Sequence, residues 1–204
     1  MGINNRIKDI TTLAAEKFLS LYDVKYVNKS GKLKNWTVAS RKSREELINQ
    51  HFNGGKEKTD AVVIFAVHKE SGKLVLIRQF RVPVNDYMYE LPAGLIDGDE
   101  SIEDALKREL KEETGLALVD LDRNKKLFPI YASGGMTDES MAIAFCLCQG
   151  EPSTEYLEED EDIEIKLVSK EEASELLKQD IKIDAKAFFA LQLFAIAGEK
   201  SVNL

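Results

Sequence analysis

A mixed α/β fold, with a mixed sheet flanked by helices and a small antiparallel β element before it, is what the sequence predicts. Three observations carry this reading. Residues 61–68 (Ala61 to His68) form an almost wholly apolar run of strand length, as a strand covered on both faces requires. Helical periodicity marks residues 101–114, about 170–179 and 184–197. Strands and helices do not alternate regularly, so a parallel βαβ array is not indicated. The chain has 204 residues, 44% of them hydrophobic, enough for one domain with a real core and a small N-terminal element. The expected division is 1–57, an N-terminal helix and β element, and 58–204, the main domain.

Taken in order, residues 1–20 suggest a short amphipathic helix. Leu21 to Val27 and Leu33 to Arg41 suggest two strands joined by a turn at Asn28-Lys29-Ser30-Gly31. Residues 44–58 are polar, contain Gly54-Gly55 and suggest a connection. Ala61 to His68 and Leu74 to Phe80 are strands around a turn at Glu70 to Lys73, and Tyr87 to Leu91 is a short strand ending at Pro92. Leu127 to Tyr131 and Met141 to Cys148 suggest strands on either side of a glycine-containing loop, and Asp162 to Val168 another strand.

Composition excludes several kinds of chemistry. A net charge of −8 disfavours nonspecific nucleic-acid binding. No apolar run approaches the roughly 20 residues needed to cross a bilayer. Met1 to Ile10 has no apolar signal-peptide core, which points to a cytoplasmic protein. Cys146 and Cys148 suit a strand as small hydrophobes rather than a metal site. With only His51 and His68, a zinc centre or a histidine-dependent nucleophile has little material. Hydrolytic chemistry must rest on carboxylates, which favour hard cations such as Mg²⁺ or Mn²⁺.

The carboxylates concentrate on one predicted helix. Ser101 with Asp104 resembles a capping box with Asp in place of Glu, and Gly115 stands where a helix ends in a left-handed residue. At 100° per residue, Ile102, Ala105, Leu106 and Leu110 define an apolar arc. Glu109 and Glu113 fall inside it, and Glu112 at its edge. Solvated surface accounts for Glu100, Glu103, Asp104 and Lys111. It does not account for Glu109 and Glu113, since packed, partly buried like charges are costly unless a cation compensates.

Gly94, five residues, Glu100, seven residues, Arg108-Glu109-Leu110, one residue, Glu112-Glu113, one residue, Gly115-Leu116: this spacing resembles a complete Nudix box. The resemblance implies a Nudix α/β/α sandwich over about residues 58–197. It implies a pyrophosphohydrolase in which Glu109, Glu112 and Glu113 bind divalent metal with the carbonyl of Ala93. Glu100 and Arg108 would pair to fix the loop, and Gly94 would permit its turn.

Further segments are similar to the ADP-ribose pyrophosphatase branch, which includes other nucleoside-diphosphate-sugar hydrolases. They are Val75 to Arg81, Glu90-Leu91-Pro92-Ala93-Gly94, and Glu159-Asp160-Glu161-Asp162-Ile163 followed by a helix with Ala190-Leu191-Gln192. In that branch an acidic loop supplies carboxylates, which implies Glu159 as general base and Glu161 as a further metal ligand. The resemblance also implies a homodimer, domain-swapped through the N-terminal strands, with Trp36 stacking on the base. Arg41 and Arg81 match arginines that contact phosphate or ribose, and Glu139 matches a contact to the terminal ribose. One departure stands out. The stretch Ala132-Ser133-Gly134-Gly135-Met136-Thr137-Asp138-Glu139 has Gly134 where the branch usually has proline, which predicts a looser loop. ADP-ribose is therefore the first substrate expected, with GDP-mannose or another sugar nucleotide as the alternative. A non-catalytic nucleotide-sugar binder is disfavoured, because such proteins tend to lose box glutamates and this chain keeps them all.

Overall fold

The computed structural model describes residues 5–124 and 127–203, which form two compact units. The first takes the described residues up to Asp60 together with Pro129–Met141. Its sheet has three antiparallel strands, β1 (Ile7–Ala15), β2 (Ser20–Val27) and β3 (Leu33–Ser40), in that order. Where the sequence suggested a helix, residues 7–15 form a strand paired with β2 along their length. Ile7, Ile10, Thr11 and Thr12 are β-branched, and their stiff χ1 fits a pleated strand better than a helical turn. A pairing partner decided the outcome, which local pattern alone does not reveal.

Residues 44–58, expected as a connection, contain α1 (Arg44–Phe52). Its start is set by Ser43, whose side chain accepts from the Glu46 amide while the Glu46 carboxylate accepts from the Ser43 amide. That reciprocal cap satisfies two otherwise orphaned donors. A small core of Ile10, Tyr22, Val24 and Leu47 lies beneath the sheet and α1.

The second unit runs over Ala61–Phe128 and from Ala142 onward. Its strands are β4 (Ala61–His68), β5 (Lys73–Arg81), β6 (Asp86–Glu90), β7 (Ala93–Leu95) and β8 (Ala117–Leu121). Helix α2 (Ile102–Thr114) lies between β7 and β8. Strand β9 (Ile130–Tyr131) belongs to the first unit and pairs with Ser140 and Met141, the first residues of β10 (Ser140–Gln149). Then follow β11 (Ile163–Val168), α3 (Lys170–Leu176) and α4 (Ala185–Ala197). The sheet order is β11-β5-β4-β10-β8, with β6 added to β5 and β7 to β4. Only two residues of the expected strand Leu127 to Tyr131 are extended, whereas β8 was not foreseen.

Every residue of β4 is buried, as its continuous apolar run required. Its alternate residues Val62, Ile64 and Ala66 pack with Ala105, Leu106 and Leu110 of α2 and with Ala144, Cys146 and Cys148 of β10. Each fully buried leucine of that layer contributes about 1.5–3 kcal/mol. Both cysteines are free and act as core hydrophobes, and burial pushes the Cys148 thiol up to about 12. Among the described residues, no helix is long and apolar enough to cross a membrane.

Candidate active site

Helix α2 carries the candidate site, and its ends explain how it is held in register. The Ser101 side chain accepts from the Asp104 amide, and Gly115 closes the helix in the left-handed region at φ +71°. The cap is half of the expected box. The Asp104 carboxylate accepts from the Ser101 hydroxyl at 2.6 Å, because the shorter side chain meets the hydroxyl first. The apolar residues then set the rotation, and Glu109 and Glu113 turn inward at 8% and 4% exposure. Glu112 sits at the edge, its side chain 44% exposed.

Burial raises the proton affinity of both inward carboxyls, that of Glu113 strongly. The negative charge of Glu161 adds to the pressure on each. Glu113 is aimed by one hydrogen bond, accepted from the Ala93 amide at 2.9 Å. Gly94, next to it, is required for space. A Cβ there would lie 1.8 Å from Glu109 Cδ. Its φ is not positive, so the turn expected from sequence is not the reason for glycine at this place.

Arg108 is the hub of the site. Its Nε and Nη2 donate to Glu100 at 3.1 and 2.9 Å, and Nη2 also reaches the Leu95 carbonyl at 2.8 Å. Its Nη1 donates to Glu109 at 2.7 Å and Glu112 at 3.1 Å. The bond from Arg108 holds the Glu100 carboxyl below the usual carboxylate range. The guanidinium thus stands where a cation is wanted. Among the described residues, no three or more His, Cys, Asp or Glu side chains converge in a group that could hold a metal ion. The donor set is all oxygen and fits a hard divalent cation such as Mg²⁺ better than a soft metal.

Arg81 lies on the same unit, with Glu113 among the charges that act on it. A two-pronged bond to buried Glu90, at 2.6 and 2.8 Å, fixes it and raises its pKa. Sequence reasoning missed Glu90, although its alternation with Tyr89 on a short strand placed one of the two inward. Glu161 is half-buried and accepts from the Glu158 amide at 2.9 Å. Glu159 is exposed on the neighbouring turn.

The remaining expected residues lie in the first unit. Trp36 on β3 is 52% exposed, and its Nε1 donates to the Gly135 carbonyl at 3.2 Å. Arg41 and Glu139, expected separately as substrate contacts, form an ion pair with each other. The loop 132–139 is tied to β3 at Trp36 and through the Ala39 amide, which donates to the Met136 carbonyl at 2.9 Å. Its foot is held by buried Lys42, whose Nζ lies 2.9 Å from Asp60 and 3.3 Å from Asp138. Asp60 also accepts from the amide and hydroxyl of Ser140. These bonds fasten the loop to β3 and to Lys42. Lys42, Asp60 and Asp138 left no periodic signal in the sequence.

A NUDIX domain family model matches residues 57–191. An uncharacterized Nudix hydrolase of Schizosaccharomyces pombe is 33% identical over 191 residues, covering 88% of this chain and 87% of the relative. An ADP-ribose pyrophosphatase of Bacillus subtilis is 36% identical over 134 residues, covering 65% and 70% respectively. A GDP-mannose pyrophosphatase of Enterobacter is 31% identical over 177 residues, covering 81% and 88%. A crystal structure of an ADP compounds hydrolase superposes with a TM-score of 0.67 at 22% identity, covering 96% of this chain and 95% of that one, and so shares the fold.

Proposed function

The chain belongs to the NUDIX domain family as a pyrophosphohydrolase, and from that premise we propose that it hydrolyses ADP-ribose to AMP and ribose 5-phosphate. Mg²⁺ is the proposed metal, with Mn²⁺ as a substitute. The observation that carries this reading is the burial of Glu109 and Glu113 on the helix that also presents Arg108 and Glu112. Glu109, Glu112, Glu113 and Glu161 would hold the metal, with the Ala93 carbonyl. Bound there, a divalent cation neutralises charge on the diphosphate and makes an attacking water more acidic.

The protein groups do the rest. Glu159 takes the proton as water oxygen attacks phosphorus and the P–O bond to the leaving phosphate breaks. Glu100 holds Arg108 so that its guanidinium anchors the Leu95 backbone. Arg81 and Arg41 contact the diphosphate, Trp36 stacks on the base and Glu139 contacts the terminal ribose. Similarity to the GDP-mannose pyrophosphatase supports GDP-mannose as the second reading. With purified protein, Mg²⁺ and a panel of nucleotides, ADP-ribose is expected to give kcat/KM about tenfold above GDP-mannose, one pocket contact's worth. Equal or better turnover of GDP-mannose would transfer the assignment to that substrate.

Residues 1–57 we assign as the dimerisation and base-stacking unit of a cytoplasmic homodimer, swapped through the N-terminal strands. Exposed Leu13, Leu21, Leu33 and Trp36 on the three-stranded sheet support this. Light scattering is expected to give about twice the 22.9 kDa chain mass, and a monomer mass would refute the dimer.

A further inference from the structure

The acidic segment that carries Glu161 is fastened at both ends by aromatic contacts outside the carboxylate cluster. At its start, the Ser153 amide donates to the Thr114 carbonyl at the end of α2, at 2.9 Å. Gly115 makes room for this, since a Cβ there would lie 2.7 Å from Ser153. Lys111, on the same last turn, donates to the Gly115 carbonyl at 2.9 Å and sets its Nζ over the Tyr156 ring, 4.4 Å from the centroid. At the far end, the Tyr87 hydroxyl donates to Asp162 Oδ2 at 2.6 Å, and the Phe80 amide donates to the Asp162 carbonyl at 3.1 Å. Tyr87 is itself clamped by Arg78, whose guanidinium lies 4.4 Å from the ring centroid and pairs with Glu164 at 2.8 Å.

Only residues 157–161 lie between the two fastenings. Within them a turn closes from the Glu161 amide to the Glu158 carbonyl, at 3.0 Å. Glu161 therefore has little freedom, its carboxylate also accepting from the Glu158 amide at 2.9 Å. Tyr156 is exposed and Tyr87 half-buried, so neither serves the core.

We propose that Lys111–Tyr156 and Tyr87–Asp162 are paired positioning anchors that fix the place of Glu161, an inference that rests on the metal-site reading above. The anchors ask different things of their residues. Tyr156 needs a ring and no hydroxyl, whereas Tyr87 needs its hydroxyl and Asp162 needs only an acceptor.

The test uses full-length protein with Tyr156→Ala, Lys111→Met and Tyr87→Phe as disruptive changes, and Tyr156→Phe and Asp162→Asn as conservative ones. Two quantities are read. One is kcat and KM for ADP-ribose with Mg²⁺. The other is the rate at which a glutamate-specific protease cuts the metal-free protein after Glu155, Glu158, Glu159 and Glu161. The disruptive changes are expected to lower kcat about ten- to a hundredfold at nearly constant KM, as misplacement of a reacting group does. They should also quicken cleavage about tenfold, as local opening becomes cheaper. The conservative changes should leave both within about twofold. Unchanged kcat in Tyr156→Ala and Lys111→Met overturns the proposal, even with faster cleavage. Equal losses in Tyr156→Ala and Tyr156→Phe also overturn it. If the wild type does not hydrolyse ADP-ribose, the functional reading fails and the cleavage rates alone decide the anchors.

Discussion

Glu113→Gln is expected to lower kcat about a hundred- to a thousandfold while the folded protein becomes no less stable. The two effects part because Glu113 is nearly fully buried and desolvation raises its pKa strongly. An amide of the same shape still accepts from the Ala93 amide through its carbonyl oxygen and removes the cost of a buried charge. Glu112→Gln, at the rim, should lose a similar factor in kcat, with smaller change in stability because its carboxylate is half exposed. The measurements are steady-state kinetics and thermal unfolding on the same samples. Survival of activity in both variants would remove these residues from the metal site.

A second large effect is expected from adding a single methyl group. In Gly94→Ala the new Cβ would fall 1.8 Å from Glu109 Cδ and 1.9 Å from its Oε1. The obstructing atoms are the tip of a flexible side chain, so the backbone can stay and Glu109 must swing away. Stability should therefore fall by only about 1 kcal/mol, at the low end of overpacking. Catalysis should fall about a hundredfold, since a displaced ligand of about an ångström costs that much. Gly134→Ala is the control, because its Cβ meets open space, and its stability should stay within about 0.5 kcal/mol. Wild-type kcat in Gly94→Ala would show that the carboxylate of Glu109 is not needed where it lies.

What could be read from sequence was what is local. The rotation of α2 follows from Ile102, Ala105, Leu106 and Leu110, so the inward placement of Glu109 and Glu113 is legible in the sequence. So was the burial of β4. The strand at 7–15 was not, because pairing with β2 decides it and local propensity does not. Helix α1 left a signal, Ser43 followed by Glu46, that its polar composition obscured. The loop 132–139 was read as loose from one glycine, yet its bonds run to Trp36, Ala39 and Lys42, about a hundred residues earlier. Gly94 was legible as required but for another reason, since only the fold shows which side chain fills the space beside it.

The place of Arg108 among Glu100, Glu109 and Glu112 has a consequence for how the protein comes into being. A chain that needed the metal to balance these carboxylates would fold only where the metal was present. Here one opposing charge is written into the same helix and arrives with the peptide. Part of the electrostatic compensation of this carboxylate cluster is thereby present before any ion arrives.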